Sequence, residues 1–174
     1  LTELGVGDES PMVQQGIGYF LDTFERQFEV WPPTPRPMPA YASDRLPHTW
    51  GNPSAEIVGY LLAFESLVPD AFRERVLGLA LANLRHAPPP IHEFADLCFL
   101  RLARFADPEL RAEILDKVGA GVLDNLQLDH ARWHGGYFMK PYWFAMSPSE
   151  PLHDLLCRDR LVVLLRLGGG RDDG

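Results

Sequence analysis

Apolar residues recur at three- and four-residue intervals along most of this 174-residue chain, which is the spacing of amphipathic helices. The first such stretch follows Ser10-Pro11, a capping residue before a proline, and predicts a helix over residues 12–28. No stretch alternates apolar and polar residues in the way that a half-buried strand requires. The pattern therefore predicts an all-α fold.

Four more helices are predicted in the middle of the chain, each introduced by proline or by a capping residue. The first and third of them are apolar on nearly all sides, whereas the second and fourth are amphipathic. The predicted starts are Asn52-Pro53, Pro69-Asp70, Ile91 and Asp107-Pro108, and the two apolar helices are expected to end near Val68 and Phe105.

These four helices form two copies of one unit. A shift of about 38 residues superimposes apolar positions and one arginine of the first copy on those of the second. The superimposed pairs are Leu61 with Phe99, Phe64 with Leu102, Phe72 with Leu110, Arg73 with Arg111, Val76 with Ile114 and Leu77 with Leu115. In each copy an apolar inner helix precedes an amphipathic outer helix, which is the pattern that stacked helical hairpins require.

Two long connections interrupt the helices and are rich in proline and aromatic residues. They are WPPTPRPMPAYASDRLPHTWGNP at residues 31–53 and LQLDHARWHGGYFMKPYWFAMSPSEP at residues 126–151. Proline favours extended backbone without internal hydrogen bonds, so we expect the first connection to lie over a surface of the protein. The SPSE motif within the second has capping-box spacing for a last helix that reaches about Leu167. We expect residues 1–168 to form one domain and residues 169–174 to be a disordered tail.

Charge and composition narrow the classes of partner. The net charge of −8 argues against nucleic acid and against anionic membrane surfaces, because both select basic proteins. The apolar runs are too short for a membrane span, and no segment has the pattern of a signal peptide. Cys98 and Cys157 fall within apolar helical patterns and are expected to be reduced core thiols in a cytoplasmic protein. No cofactor is predicted. Since the chain begins at Leu1 rather than Met, we expect it to be a fragment or a trimmed chain.

The two aromatic-rich connections are candidates for a ligand site. Loops of the same phase emerge at one end of a stack of hairpins, so their rings and polar groups would line a shared pocket. The candidate ligand-binding residues are Trp31, His48, Trp50, Asn52, Trp133, His134, Tyr137, Lys140 and Trp143. Such a pocket suits an isoprenoid or another apolar molecule. The alternative is that these aromatic rings close the ends of the helical stack.

A histidine and two acids lie within one turn at the start of the third central helix. His92 and Asp96 are four residues apart, with Glu93 between them, and a histidine–carboxylate pair is capable of acid–base chemistry. The structural alternative is that the acids favour the positive end of the helix and that His92 pairs locally.

No segment of the chain gives a strong sequence signal for a metal site. His130 and His134 have the i,i+4 spacing of a metal-binding pair, and Asp96 and Cys98 offer two further ligands. Residues two apart on a helix point in different directions, and Gly135-Gly136 leaves little helix at the histidines. These residues are therefore candidates only, and no metal is predicted.

Three segments carry a resemblance to a known superfamily. They are RPMPAYASDRLPHTWGNPSAEIVGYLL, HEFADLCFLRLARF and WHGGYFMKPYWFAMSPSEP. Their order resembles uncharacterised bacterial proteins of the α/α-toroid superfamily, which are related to squalene-hopene cyclases and protein prenyltransferases. The resemblance covers residues 12 to about 155 and implies stacked helical hairpins in inner and outer rings around a ligand cavity. It implies a partial α/α toroid here, because a complete ring needs more helices than this chain supplies.

The resemblance leaves enzymatic activity open. It implies a terpene cyclase or a prenyltransferase-like enzyme if there is activity, yet the clustered aspartates of the cyclases do not occur in the helical part. The zinc set of the prenyltransferases would fall on Asp96, Cys98 and either His130 or His134. The leading hypothesis is binding of an apolar or isoprenoid-like molecule, with a protein partner or a homodimer completing the ring. The alternative is a HEAT-like α-solenoid scaffold for protein–protein interaction.

Overall fold

The computed structural model describes residues 5–32, 50–87, 93–125 and 151–153. Helix accounts for 76% of this part, and no strand occurs in it, which confirms the predicted all-α class. Within the same residues, one isolated β-bridge joins Glu25 to Val30. The helices are α1 (Pro11–Thr23), α2 (Glu56–Ala63), α3 (Asp70–His86), α4 (Glu93–Phe105) and α5 (Pro108–Asn125).

Helix α1 starts where the sequence predicts and ends five residues early. Pro11 is its first residue, and Ser10 has the extended backbone of an N-cap. The prediction of helix to residue 28 is wrong because Phe24 leaves the helical conformation, with ψ at 116°. The chain then makes a tight turn closed by the Glu25–Val30 bridge, in which Glu29 has a φ of 55°. This turn brings Phe24 into the core.

Helix α2 is shorter at both ends than the pattern predicts. A turn over Trp50–Ala55 precedes it, and Asn52 within that turn is extended, while the helix itself begins at Glu56. It ends at Ala63, and a short 3-10 turn over Glu65–Leu67 leads to α3 in place of the predicted continuation. Periodicity does not detect such a break, because apolar residues continue at helical spacing through the turn.

The starts of the outer helices follow the predicted capping chemistry. Helix α3 begins at Asp70, directly after Pro69. Helix α5 begins at Pro108, and the Asp107 carboxylate accepts hydrogen bonds from the backbone N–H groups of Glu109 and Leu110 at 3.0 and 2.9 Å. Asp107 is thus the N-cap that satisfies the otherwise unpaired donors of the first turn.

The two inner helices pack together, and each contacts the outer helix that follows it. Helix α2 packs along α4, each precedes its own outer helix, and α4 also packs against the Trp50–Ala55 turn. Positions separated by 38 residues have the same burial in the two outer helices: Val76, Ala80 and Leu84 of α3, and Ile114, Val118 and Val122 of α5, are all fully buried. The repeat in the sequence therefore corresponds to a repeat in packing.

Close approach of α2 to α4 depends on a glycine. A Cβ atom built on Gly59 would lie 3.0 Å from the Cα of Leu102 and 3.1 Å from the carbonyl oxygen of Arg101. Both neighbours are backbone atoms, which do not rotate away as a flexible side chain does. The absence of a side chain at Gly59 thus sets the spacing of the two inner helices.

Several predictions fall on residues outside the described ranges. These are the course of both long connections between their ends, the last helix to about Leu167 and the tail at residues 169–174. Within the part of the chain that is described, no helix is both long and apolar enough to cross a membrane.

Candidate functional site

Aromatic side chains of the described residues form two groups. The first, which we call the buried aromatic cluster, consists of Phe24, Trp31, Trp50 and Phe72. The Trp31 ring lies 4.7 Å from that of Phe24 and 6.4 Å from that of Trp50, measured between centroids, and both pairs meet edge to face. Trp31 is only 2% exposed. These rings pack against each other as core side chains do.

Two hydrogen bonds fix Trp31 in this cluster. Its backbone N–H donates to Oγ of Ser54 at 3.0 Å, and its indole Nε1–H donates to the carbonyl oxygen of Phe20 at 2.7 Å. Ser54 is itself fully buried and lies in the turn that also holds Trp50. The proline-rich connection therefore leaves the core at Trp31 and returns to it at Trp50, and the two tryptophan rings touch.

The second group, the aromatic ladder, consists of Phe20, Tyr60 and Phe105 and crosses α1, α2 and α4. The Phe20 and Tyr60 rings are nearly parallel at 9°, with centroids 6.4 Å apart, and the Tyr60 and Phe105 centroids are 6.3 Å apart. All three side chains are only partly buried, and the exposed Tyr19 extends the series beyond Phe20. The ladder is therefore an aromatic surface that solvent reaches.

A polar cluster adjoins the ladder at the contact between α2 and α4. Glu56 is its centre: Oη of Tyr60 donates to Oε1 at 2.5 Å, and Nη1 of Arg101 donates to Oε2 at 2.5 Å. The thiol of Cys98 lies 3.7 Å from the same Oε2 atom. The Glu56 side chain is 17% exposed and that of Arg101 is 43% exposed. The cluster thus extends from the packed helix contact to the solvent.

Burial and charge in this cluster set its protonation. Burial, followed by the negative charge of Glu56, raises the pKa of the Cys98 thiol from 9.0 to about 12. Burial and the hydrogen bond to Glu56 also raise the pKa of Tyr60 above its usual value of 10.0. Burial opposes the charge on Arg101, but the hydrogen bond and charge of Glu56 outweigh it, and the pKa of Arg101 is raised. At neutral pH the thiol and phenol are therefore protonated and the guanidinium is charged.

Sequence reasoning did not bring these polar residues together. None of Glu56, Tyr60 and Arg101 is among the predicted site residues. The 38-residue shift holds the missing information, since Glu56 aligns with Phe94 and Arg101 aligns with Ala63. Two opposite charges that each replace an apolar residue of the other copy indicate a pair across the packed inner helices.

The predicted ligand-binding residues divide into two sets. Trp31 and Trp50 lie in the buried aromatic cluster and contact each other, and Asn52 lies in the turn before α2. The remaining members lie outside the described residues; they are His48, Trp133, His134, Tyr137, Lys140 and Trp143. The described structure therefore brings together one pair of the predicted residues, and that pair is packed in the core.

The predicted catalytic and metal candidates are likewise only partly described. Asp96 is 1% exposed within α4, and Glu93 is the first residue of that helix, while His92, His130 and His134 lie outside the described residues. Asp96 aligns with Val58 under the 38-residue shift, and both are buried. The carboxylate of Asp96 is thus a polar group placed among core positions.

Cys98 is a buried free cysteine, in agreement with its expected role as a core thiol. Burial keeps the thiol protonated, and a thiol must lose its proton to act as a metal ligand or a nucleophile. Among the described side chains, no three histidine, cysteine or acidic residues come together in a group that would hold a metal ion.

Comparison with known proteins adds no relative. No protein-family model, no curated protein and no solved structure matches the chain.

Proposed function

We propose that this protein binds an apolar or isoprenoid-like small molecule, held against the aromatic ladder of Phe20, Tyr60 and Phe105. The observation that carries the proposal is that three ring-to-ring contacts, counting that of Tyr19, follow one another across three helices and remain partly open to solvent. Partly exposed aromatic rings give a large apolar contact area at low conformational cost.

The ladder suits a ligand better than the buried aromatic cluster does. Trp31 already packs against three other rings and makes two hydrogen bonds, so a ligand would have to displace core contacts to reach it. Solvent contacts part of the surface of the ladder rings. An apolar ligand that displaced this water would lower the free energy. In this proposal Trp31 and Trp50 do not contact the ligand, and they support the site by fixing the two ends of the proline-rich connection.

The finer architecture that we propose is a stack of helical hairpins forming a partial α/α toroid, with α2 and α4 as inner helices. Support comes from the packing of α2 along α4 and from the matched burial of the outer helices. No described side chain of α2 or α4 is fully exposed. Inner helices whose side chains are buried or only partly buried favour a small ligand over the alternative, a HEAT-like scaffold that binds a protein partner along an open inner surface.

The predicted residues of the long connections complete this proposal. His48, Trp133, His134, Tyr137, Lys140 and Trp143 would enclose the ligand from the side of the loops. Long loops commonly carry the binding residues of a domain whose helices supply the rigid support. Replacement of Trp143 by alanine should then weaken binding without unfolding the protein.

The experiment is a titration of the purified full chain with farnesol, an uncharged isoprenoid alcohol, by isothermal calorimetry. The Phe105→Ala variant removes one ring of the ladder, and we expect its affinity for farnesol to fall by about tenfold, which corresponds to part of the free energy of burying one ring. The matched control is Phe28→Ala, because Phe28 is 50% exposed in the turn after α1 and is not part of the ladder. Circular dichroism verifies that both variants are folded.

Equal loss of affinity in the Phe105 and Phe28 variants would contradict a site on the ladder. Absence of farnesol binding to the unmodified protein, together with no retained apolar molecule in its native mass spectrum, would contradict the proposed function as a whole.

A further inference from the structure

One edge of the Arg101 guanidinium is open. Nη1 donates to Oε2 of Glu56, and among the described residues neither Nε nor Nη2 makes a hydrogen bond. The Arg101 side chain is 43% exposed. An Nε–Nη2 edge presents two parallel N–H donors, which match the two oxygens of a carboxylate.

Glu56 does not block a second acid from this edge. Its Oε1 already accepts from Tyr60 and its Oε2 from Arg101, so its charge is compensated by donors within the cluster. Glu56 also lies on the Nη1 side of the guanidinium, away from the Nε–Nη2 edge. A planar guanidinium with five N–H donors is able to bind two carboxylates along two edges.

A second arginine of α4 lies at the ladder. The guanidinium of Arg104 lies 5.8 Å from the centroid of the Phe105 ring, one turn after Arg101 on the same helix. Arg101 is linked to the ladder through Glu56 and Tyr60, in a chain whose net charge is −8. Guanidinium groups beside an apolar surface favour an anionic ligand over a cationic one.

We infer that the ligand is an amphiphile with a carboxylate head, whose apolar tail lies along the rings of Phe20, Tyr60 and Phe105 and whose carboxylate binds the open Nε–Nη2 edge of Arg101. This inference rests on the proposed function and specifies its ligand class. Two kinds of contact then recognise the ligand. The ladder buries its apolar tail, and Arg101 makes a bidentate charge-assisted hydrogen bond with its carboxylate.

Three probes with the same tail separate these two parts. Farnesoic acid carries a carboxylate at pH 7.5, farnesol carries no charge and farnesylamine carries a positive charge. Titrated against the full chain below the concentrations at which they self-associate, farnesoic acid should bind about tenfold more tightly than farnesol, as a charge-assisted hydrogen bond to an exposed guanidinium allows. Farnesylamine should bind more weakly than farnesol.

A double variant tests whether Arg101 causes the preference. Glu56→Gln combined with Arg101→Gln removes both charges, so neither partner is left as an uncompensated ion, and the amide oxygen introduced by Glu56→Gln would still accept from Tyr60. We expect the ratio of farnesoic acid affinity to farnesol affinity, measured within this variant, to fall to about twofold or less. The matched control is Arg85→Gln with Glu113→Gln, which removes the ion pair between α3 and α5 and should leave the preference intact. If the first double variant does not fold, Arg101→Lys keeps the charge and loses the fork, and should retain only part of the preference.

Each outcome of these titrations either supports or overturns the inferred carboxylate site. A preference for farnesoic acid that the Arg101 variants lose and the control keeps would support it. Equal binding of farnesoic acid and farnesol, or tighter binding of farnesylamine, would overturn the carboxylate while leaving the proposed function standing. A preference that the Arg101 variants retain would overturn the role of Arg101. Failure of all three probes to bind would overturn the proposed function and this inference with it.

Discussion

The two aromatic groups of this protein use similar rings in opposite surroundings. In the buried aromatic cluster, the polar atoms of Trp31 are satisfied by uncharged partners, the hydroxyl of Ser54 and the carbonyl of Phe20. Beside the aromatic ladder, the phenol of Tyr60 is held by a carboxylate that is itself paired with Arg101. Charged hydrogen-bond partners of the rings occur at the group that solvent reaches, because burying an ion costs far more than burying an indole N–H.

Under the proposed function, this difference separates a group of rings that stabilises the fold from a group that binds the ligand. The buried aromatic cluster links α1, the Trp50–Ala55 turn and α3, and its rings face each other. The ladder rings are only partly buried, and under the proposed function Arg101 orients the ligand beside them. Substitutions in the buried aromatic cluster should therefore act on unfolding, and substitutions around the ladder should act on binding.

The largest expected effect is that of Trp31→Ala. Removal of this ring leaves a cavity among Phe24, Trp50 and Phe72 and should lower the free energy of unfolding by about 3–5 kcal/mol, as measured by urea denaturation. The milder Trp31→Phe keeps an aromatic ring but loses the indole N–H that donates to the carbonyl oxygen of Phe20. It should lower the free energy of unfolding by less than Trp31→Ala does. If Trp31→Ala instead weakened farnesol binding at unchanged stability, the division between the two groups would be wrong.

A smaller effect is expected at the helix contact that supports the ladder. Gly59→Ala forces a methyl group against the α4 backbone and should destabilise the protein by about 1–3 kcal/mol, again measured by urea denaturation. It should also move Glu56 away from Arg101 and reduce the preference for farnesoic acid, because both residues sit at that contact.

Gly78→Ala is the matched control for this variant. A Cβ on Gly78 in α3 meets no atom within 4 Å, and alanine is the better helix former, so this change should stabilise the protein by about 0.5–1 kcal/mol. A Gly59→Ala variant as stable as Gly78→Ala would show that α2 and α4 are not as close as the structure has them.

The fold was predictable from the sequence where helices start and repeat. Proline and acidic residues mark the starts of α1, α3 and α5, since these residues act on the local backbone alone. The 38-residue repeat predicts which outer-helix positions are buried. The early end of α1 was not predictable, because Phe24 turns inward to meet Phe72, which is distant in sequence.

The candidate site was less predictable than the fold. Aromatic content drew the prediction to the long connections, whose described ends, Trp31 and Trp50, lie in the core. The ladder draws one ring from each of three helices, and no single helix contains a motif for it. The sequence does contain a sign of the polar cluster, since Glu56 and Arg101 each interrupt the apolar repeat. These two interruptions can be interpreted as a pair only once α2 and α4 are known to pack together.

A further prediction concerns the hydrogen bond that anchors the start of the proline-rich connection. Ser54→Ala removes the acceptor of the Trp31 backbone N–H, and the buried donor then lacks a partner, at a cost of about 1–2 kcal/mol in the free energy of unfolding. Farnesol affinity should not change in the folded variant. Ser54→Thr, which retains the hydroxyl, should recover part of the loss, and equal losses in the two variants would point to packing rather than to this hydrogen bond.

The smallest expected effect distinguishes the two groups by pH. Folding raises the pKa of Cys98 from 9.0 to about 12, so above pH 9 the unfolded chain loses a proton that the native protein retains. The contribution of this group to stability is complete below pH 9 and is lost as the pH rises toward 12, by about 1 kcal/mol at pH 10. Tyr60, whose pKa is also raised, acts in the same direction at higher pH.

Urea denaturation between about pH 7.5 and 10.5 measures this effect. The free energy of unfolding should fall more steeply with pH in the unmodified protein than in Cys98→Ala. Trp31→Phe should show the same fall as the unmodified protein, because no titrating group belongs to the buried aromatic cluster. An identical slope in Cys98→Ala would mean that the thiol is less well shielded beside the ladder than its 4% exposure indicates.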